Sequence, residues 1–261
     1  MRDLSAFPVA VKVEHLTVNY EKTSVLWELS FEIPTGTMCA IIGPNGAGKS
    51  TFLKTILGLL KPLSGKVEFF GKSIKEMRSK IAYVPQRASV DWDFPITVFD
   101  VALMGRFHKM KLFKRAKAAD REAVKRVLEM VGLTPFSDRQ INQLSGGQQQ
   151  RLFIARALLQ EADIYLMDEP FAGVDVATEK ALISIFDQLK MQGKTLVLVH
   201  HDLSSVEDYF DWVVLLNIGL IASGKPAEVF TPEALMRTYG RSSHLLDEVS
   251  KLVKHKASGL L

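Results

Sequence analysis

The stretch MCAIIGPNGAGKST, Met38 to Thr51, leaves a folding chain few choices. Its five apolar opening residues read as a short strand covered on both faces, the kind found inside a parallel sheet. Gly43, Pro44, Asn45, Gly46, Ala47, Gly48, Lys49 and Ser50 then fit G-x-x-x-x-G-K-[ST] throughout, and GKSTFLKTILGLL continues as a helix. Glycines let the backbone wrap closely around a phosphate, and successive N–H groups form a nest for its oxygens. Lys49 adds a point charge for the outer phosphates. Ser50, with Thr51 behind it, offers a hydroxyl suited to Mg2+, which takes hard oxygen ligands.

The rest of the chain supports an α/β class. VKVEHLTVNY alternates apolar and polar residues, as a half-buried strand does, and VLWELSFEI, SGKVEFFG and KIAYVPQ read as further strands. From about residue 88 to 140 the pattern turns helical, through TVFDVALMG and AKAADREAVKRVLEMVGL. Strand and helix then alternate again through ADIYLMDEP, VATEKALISIFDQLKMQ and KTLVLVHHD, which argues for a parallel sheet. DWVVLLNIGLIASGK reads as strand, turn and strand. The expected layout is one domain over 1–261: an α/β core of about 8–87 and 141–225, a helical insert of about 88–140, and a helical extension of about 226–261.

Composition sets outer limits. The 261 residues are 47% hydrophobic and 24% charged, an ordinary globular balance. A net charge of +4 fits phosphate ligands or an anionic membrane surface, and fits a mildly basic soluble surface at least as well. The one cysteine, Cys39, excludes any disulfide within the chain and reads as a buried thiol. The N-terminus lacks the apolar run of a signal peptide, and no segment approaches the roughly 20 apolar residues of a membrane span. Any work at a membrane is expected to go through partners.

A second element narrows the chemistry. IYLMDE, Ile164 to Glu169, is an apolar strand ending in two acids. Asp168 at its tip is placed to hold Mg2+ as the second half of a nucleotide site. Glu169 beside it can orient or deprotonate an attacking water. With the first motif this predicts a nucleotide hydrolase or kinase.

A third element, LSGGQ at Leu144 to Gln148, runs into the helical RLFIARALL. It is a second glycine-rich anion cradle, without a lysine. A plain helix cap by Ser145 leaves Gly146, Gly147 and Gln148 without a reason. Together these motifs resemble the ATP-binding subunit of an ABC transporter, and the wording VDWDFPITVFDVALMGR is similar to the manganese, zinc and iron uptake group. The resemblance covers nearly the whole chain.

It implies a P-loop ATPase core with a parallel sheet, an N-terminal antiparallel β subdomain and an inserted helical subdomain. It also implies a head-to-tail dimer of two copies, in which Ser145, Gly146, Gly147 and Gln148 of one bind ATP held by the other. By the same resemblance Tyr20 stacks on adenine. Gln86, in YVPQ, reaches Mg2+ and the attacking water. Asp175, in AGVD where SALD is commoner, crosses to the second copy. His201 contacts the γ-phosphate; strand alternation puts His200 and His201 on opposite faces, and the family histidine directly precedes an aspartate, here Asp202.

The implied partners are integral membrane permease subunits, docking near Trp92, Phe94 and Pro95, and an extracytoplasmic metal-binding protein. The implied place is the cytoplasmic face of the membrane, as a peripheral subunit. The alternative is a soluble ABC ATPase in cofactor assembly or on nucleic acid. The latter kind usually carries long coiled coils or two cassettes. This chain has neither, and no interleaved aromatic and basic stripe of the kind that binds single strands, so nucleic acid is not expected as a partner.

Overall fold

The computed structural model describes residues 8–20, 23–110 and 115–240. In chain order the elements are β1 (Val9–Tyr20), β2 (Thr23–Pro34), β3 (Met38–Ile42), α1 (Lys49–Ile56), β4 (Ser64–Phe69), α2 (Ile74–Met77), β5 (Ile81–Val84) and α3 (Val98–Met104). They continue with α4 (Ala118–Met130), α5 (Gly146–Leu159), β6 (Ile164–Asp168), α6 (Val176–Met191), β7 (Thr195–Val199), α7 (Val206–Tyr209), β8 (Trp212–Asn217), β9 (Gly219–Gly224), α8 (Pro226–Val229) and α9 (Pro232–Tyr239). The residues group into two compact units, one of Met1–Glu76 with Val197–Leu261, the other of Met77–Leu196. β7 begins in the second unit and ends in the first.

In the first unit β1 lies between β2 and β4, antiparallel to both. Its inward residues Val11, Val13, Leu16 and Val18 meet Leu26, Leu29, Phe31 and Ile33 of β2 in a closed apolar layer. This is the antiparallel N-terminal sheet. Gly65 is needed at its rim: φ is +87°, and a Cβ there would lie 2.4 Å from the His15 carbonyl oxygen.

β3 is fully buried along its length, as its unbroken apolar run predicts. It runs parallel to β8, with Cys39 opposite Trp212 and Ile42 opposite Leu215. β8 turns back through Ile218 into antiparallel β9. Burial pushes the Cys39 thiol well above its ordinary pKa, which makes it inert. α1 turns Phe52, Leu53 and Ile56 inward, and Phe52 packs on Phe31 with ring centroids 5.5 Å apart. Each such buried side chain contributes on the order of 1.5–3 kcal/mol.

In the second unit β5 and β6 are parallel, from Ile81 opposite Ile164 to Val84 opposite Met167. The helix α5 is fastened along β5 by its own polar side chains. Gln160 donates to the Ile81 carbonyl at 2.7 Å, and Arg156 to the Tyr83 carbonyl at 3.0 Å. α3 and α4 pack on α5 in turn. Their approach is close: a Cβ on Gly105 would lie 2.2 Å from the Arg156 carbonyl oxygen.

Trp92 has a core that its loop position concealed. Its ring meets Phe153 of α5 edge-on at 5.1 Å, and its indole N–H donates to the Arg87 carbonyl at 3.0 Å. Phe94, by contrast, is 59% exposed. After residue 225 the described residues hold α8 and α9; the part of the expected extension from 241 to 261 lies outside the described residues.

Candidate functional site

The phosphate loop grows out of β3 in the first unit. Gly43 sits under β8, where a Cβ would lie 2.0 Å from the Leu216 carbonyl oxygen. Gly46 and Gly48 have φ of +82° and +95°, the left-handed region that glycine enters freely. A Cβ on Gly48 would also lie 2.4 Å from Leu26 Cδ2. Around Gly46 nothing comes within 4 Å of a Cβ position, so the mouth of the loop is open. Lys49 is buried, and its ammonium donates to the Gly43 and Pro44 carbonyls at 2.8 and 2.9 Å. The lysine thus stands inside the ring of the loop. No side chain caps the N-terminus of α1, and no acidic residue stands in its first turn. Ser50 and Thr51 open that helix, half-buried. A loop with an uncapped helix start, an internal cation and an open mouth fits a polyphosphate.

Just past β7 the backbone N–H of His200 donates to the Ile41 carbonyl at 3.2 Å. This brings the histidine pair to the end of β3 from which the loop springs. The two have different surroundings. His200 is buried, with Nε2 2.8 Å from Ser205 Oγ and its ring 5.0 Å from Phe210. Burial lowers its pKa. His201 is exposed. Among the described residues no group of three His, Cys, Asp or Glu is placed to hold a metal.

In the second unit the parallel register brings Gln86 and the Asp168–Glu169 pair to the same, carboxyl-terminal edge of β5 and β6. Ligands of open α/β sheets bind beyond this edge. Asp168 is 1% exposed at the end of β6. Glu169 follows at φ +55°, strained for a residue with a side chain. Its carbonyl accepts from the Ala172 N–H at 3.1 Å, so the strain is locked in a turn. Gln86 starts a short turn in which its carbonyl accepts from the N–H and hydroxyl of Ser89 at 3.0 and 2.7 Å. Within this unit Gln86 and Asp168 each offer a side-chain oxygen of the kind Mg2+ takes.

The turn at Leu144–Gln148 is built differently. Ser145 Oγ accepts from the Gln148 N–H at 3.4 Å, and Gln148 Oε1 accepts from the Ser145 N–H at 2.8 Å, a reciprocal cap. Gly146 and Gly147 are crowded: Cβ atoms there would lie 3.0 Å from Arg87 Cζ and 3.0 Å from the Gly173 carbonyl oxygen. These contacts correct the expectation that a plain cap leaves the glycines and Gln148 unaccounted for; each has a local structural reason. Asp175 likewise caps α6, accepting from the Thr178 N–H at 2.9 Å and hydroxyl at 2.7 Å, and these bonds lower its pKa. Tyr20 ends β1, and its side chain falls outside the described residues.

Two residues escaped the sequence reading. Arg87 Nε donates to Gln149 Oε1 at 2.7 Å across 62 positions of sequence. Only the adjacency of Arg87 to Gln86, and of Gln149 to LSGGQ, gave a signal.

Comparisons with known proteins agree with this architecture. The profile of the ABC transporter family matches residues 26–172. The manganese transport system ATP-binding protein MntB of Bacillus subtilis is 54% identical over 93% of this chain and 97% of its own. The zinc transport system ATP-binding protein TroB of Treponema pallidum is 54% identical over 92% and 90%. The solved structure of an ATP-binding subunit of an ABC transporter superposes with a TM-score of 0.75 at 26% identity, over 94% of this chain and 99% of that one. Among the described residues no helix is long and apolar enough to cross a membrane. The chain belongs to the ABC transporter family, as an ATP-binding subunit that hydrolyses ATP.

Proposed function

We propose that the chain hydrolyses MgATP to drive an importer of divalent metal ions, manganese or zinc. The observation that carries the ATPase half is the phosphate loop, with the Lys49 ammonium held 2.8 Å from the Gly43 carbonyl inside an uncapped helix start. The cargo half is supported by relatives named for manganese and zinc transport. The chain acts as one ATP-binding domain peripheral to the cytoplasmic face of the membrane. The α/β core, residues 8–87 and 141–225, does the chemistry. Residues 88–140, with exposed Phe94 at their edge, face the permease subunits, and residues 226–261 form an extension. An extracytoplasmic metal-binding protein delivers the ion.

In this reading two copies pair head to tail over two ATP molecules. Tyr20 stacks on adenine. Residues Gly43 to Thr51 of one copy and Ser145 to Gln148 of the other hold the same phosphates. Asp175 of each copy faces its partner. Ser50, Asp168 and Gln86 are the residues that would hold Mg2+, which would supply positive charge to the outer phosphates. Glu169 orients the attacking water and takes its proton; His201 stabilises the terminal phosphoryl group. The strained Glu169 backbone supports a positioned carboxylate, since such strain tends to be kept where geometry matters. Loss of that phosphoryl group removes the bridge, and the pair reopens as a ligand-driven shift of population.

Glu169→Gln, in the full chain with its permease, is expected to keep ATP affinity, slow turnover by about 10²–10⁴-fold and accumulate as a closed dimer. Unimpaired turnover would remove Glu169 from this role.

A further inference from the structure

The turn at Leu144–Gln148 carries no cation of its own, yet one stands against it. Arg87 follows Gln86 directly. Its Nε–H donates to Gln149 Oε1 at 2.7 Å, and its Cζ and Nη1 lie 3.0 Å from where a Gly146 Cβ would be. Gln149 is 5% exposed, and its amide nitrogen donates to the Ile141 carbonyl at 3.3 Å. It therefore ties the guanidinium to the segment that enters the turn. Below it Trp92 meets Phe153 edge-on and its indole N–H donates to the Arg87 carbonyl, while Arg156 lies over Phe153 at 4.4 Å and donates to the Tyr83 carbonyl at 3.0 Å. The loop after β5 and the first three turns of α5 are thus laced together by side chains.

We propose that Arg87 is a positioning residue for the turn at Ser145–Gln148: its guanidinium, clamped on Gln149 and flat against Gly146, fixes the turn to the Gln86 loop. A lysine cannot replace it, because the link uses the planar Nε–H of a guanidinium. A neighbouring cation also opposes the positive end of α5, an unfavourable pairing that an anion at the turn relieves. The crowding explains why position 146 is glycine although its backbone needs no left-handed φ. This inference rests on the head-to-tail reading above, in which the turn grips ATP held by a second copy.

The test uses the full chain in a Glu169→Gln background. Fluorescent-ATP titration reports binding at the phosphate loop, and sedimentation reports MgATP-driven dimerisation. Arg87→Ala is expected to leave nucleotide affinity unchanged and to weaken dimerisation about tenfold, the order of one charge-assisted hydrogen bond. Arg87→Lys is expected to stay with the alanine variant. Gln149→Met is expected to weaken dimerisation similarly, and the double variant to be no worse than either alone. Dimerisation at the parent level in Arg87→Ala, full rescue by lysine, or additive losses in the double variant would each overturn the proposal. A parent that binds MgATP and never dimerises would instead overturn the head-to-tail reading.

Discussion

The molecule has two glycine-rich turns that each open a helix, and they are built on opposite principles. At the phosphate loop the glycines supply conformation: Gly46 and Gly48 occupy left-handed φ that other residues enter at a cost of about 1–2 kcal/mol. The helix start is uncapped, and a cation is stored inside. At the Ser145–Gln148 turn neither glycine has positive φ. Those glycines supply clearance, for Arg87 on one side and Gly173 on the other, and the helix start is capped by its own Ser145 and Gln148. At the first turn no side chain competes with a ligand for the helix start. At the second, Ser145 and Gln148 already engage two of the N–H groups. Identical residue types therefore do not imply identical roles; the φ angles and the caps decide.

The sharpest way to break this contrast is at the first turn. Lys49→Ala is expected to abolish ATP binding in titration while the fold persists, and normal affinity would deny the loop its role. Gly48→Ala adds both a forbidden φ and a Cβ 2.4 Å from Leu26 Cδ2 and 2.8 Å from the Val25 carbonyl. It is expected to lose nucleotide binding and lower Tm by several degrees, at about 2–4 °C per kcal/mol for a chain of this size.

Smaller effects are expected at the second turn, all without change in ATP affinity of the single subunit. Ser145→Ala removes the cap and should cost about 1 kcal/mol. Gly147→Ala meets a backbone oxygen, whereas Gly146→Ala meets the Arg87 side chain, which can yield at no more than the cost of its hydrogen bond to Gln149. Denaturant melts should therefore rank Gly147→Ala as the more destabilising, and the reverse order would refute the steric account.

The histidine pair offers the mildest test. Burial holds His200 below its ordinary pKa of 6.5. Its stabilising contribution is then complete above the unfolded value and lost as pH falls through the folded one. Between about pH 7.5 and about pH 5.5 the fall in Tm should be steeper for the parent than for His200→Gln. Parallel slopes would show that His200 is not the titrating group.

Much of this was legible in the sequence. The phosphate loop announced itself because strand, glycine spacing, lysine and helix occur in one continuous stretch, Met38 to Thr51. Burial of the MCAII run and the acidic tip of β6 followed from apolar continuity. Alternation could not separate His200 from His201, because β7 ends at Val199; the structure adds only that His200 is enclosed by Ser205 and Phe210. The Arg87–Gln149 link was invisible, because a hydrogen bond across 62 positions leaves no local pattern. The Trp92 contact was hidden for the same reason: Phe153, its partner, belongs to a distant helix. Ser145 and Asp175 each cap the helix that follows them, a role that a residue type shared by caps and ligand contacts does not by itself distinguish.

The central claim is that one ATP is gripped by both kinds of turn, each from a different copy. The most direct measurement is a structure of the Glu169→Gln chain with its permease, loaded with MgATP. The account predicts Lys49 Nζ of one copy and Ser145 Oγ of the other within about 3 Å of the same terminal phosphate. Ser145 remote from every nucleotide, or touching the phosphate bound by its own chain, would contradict it.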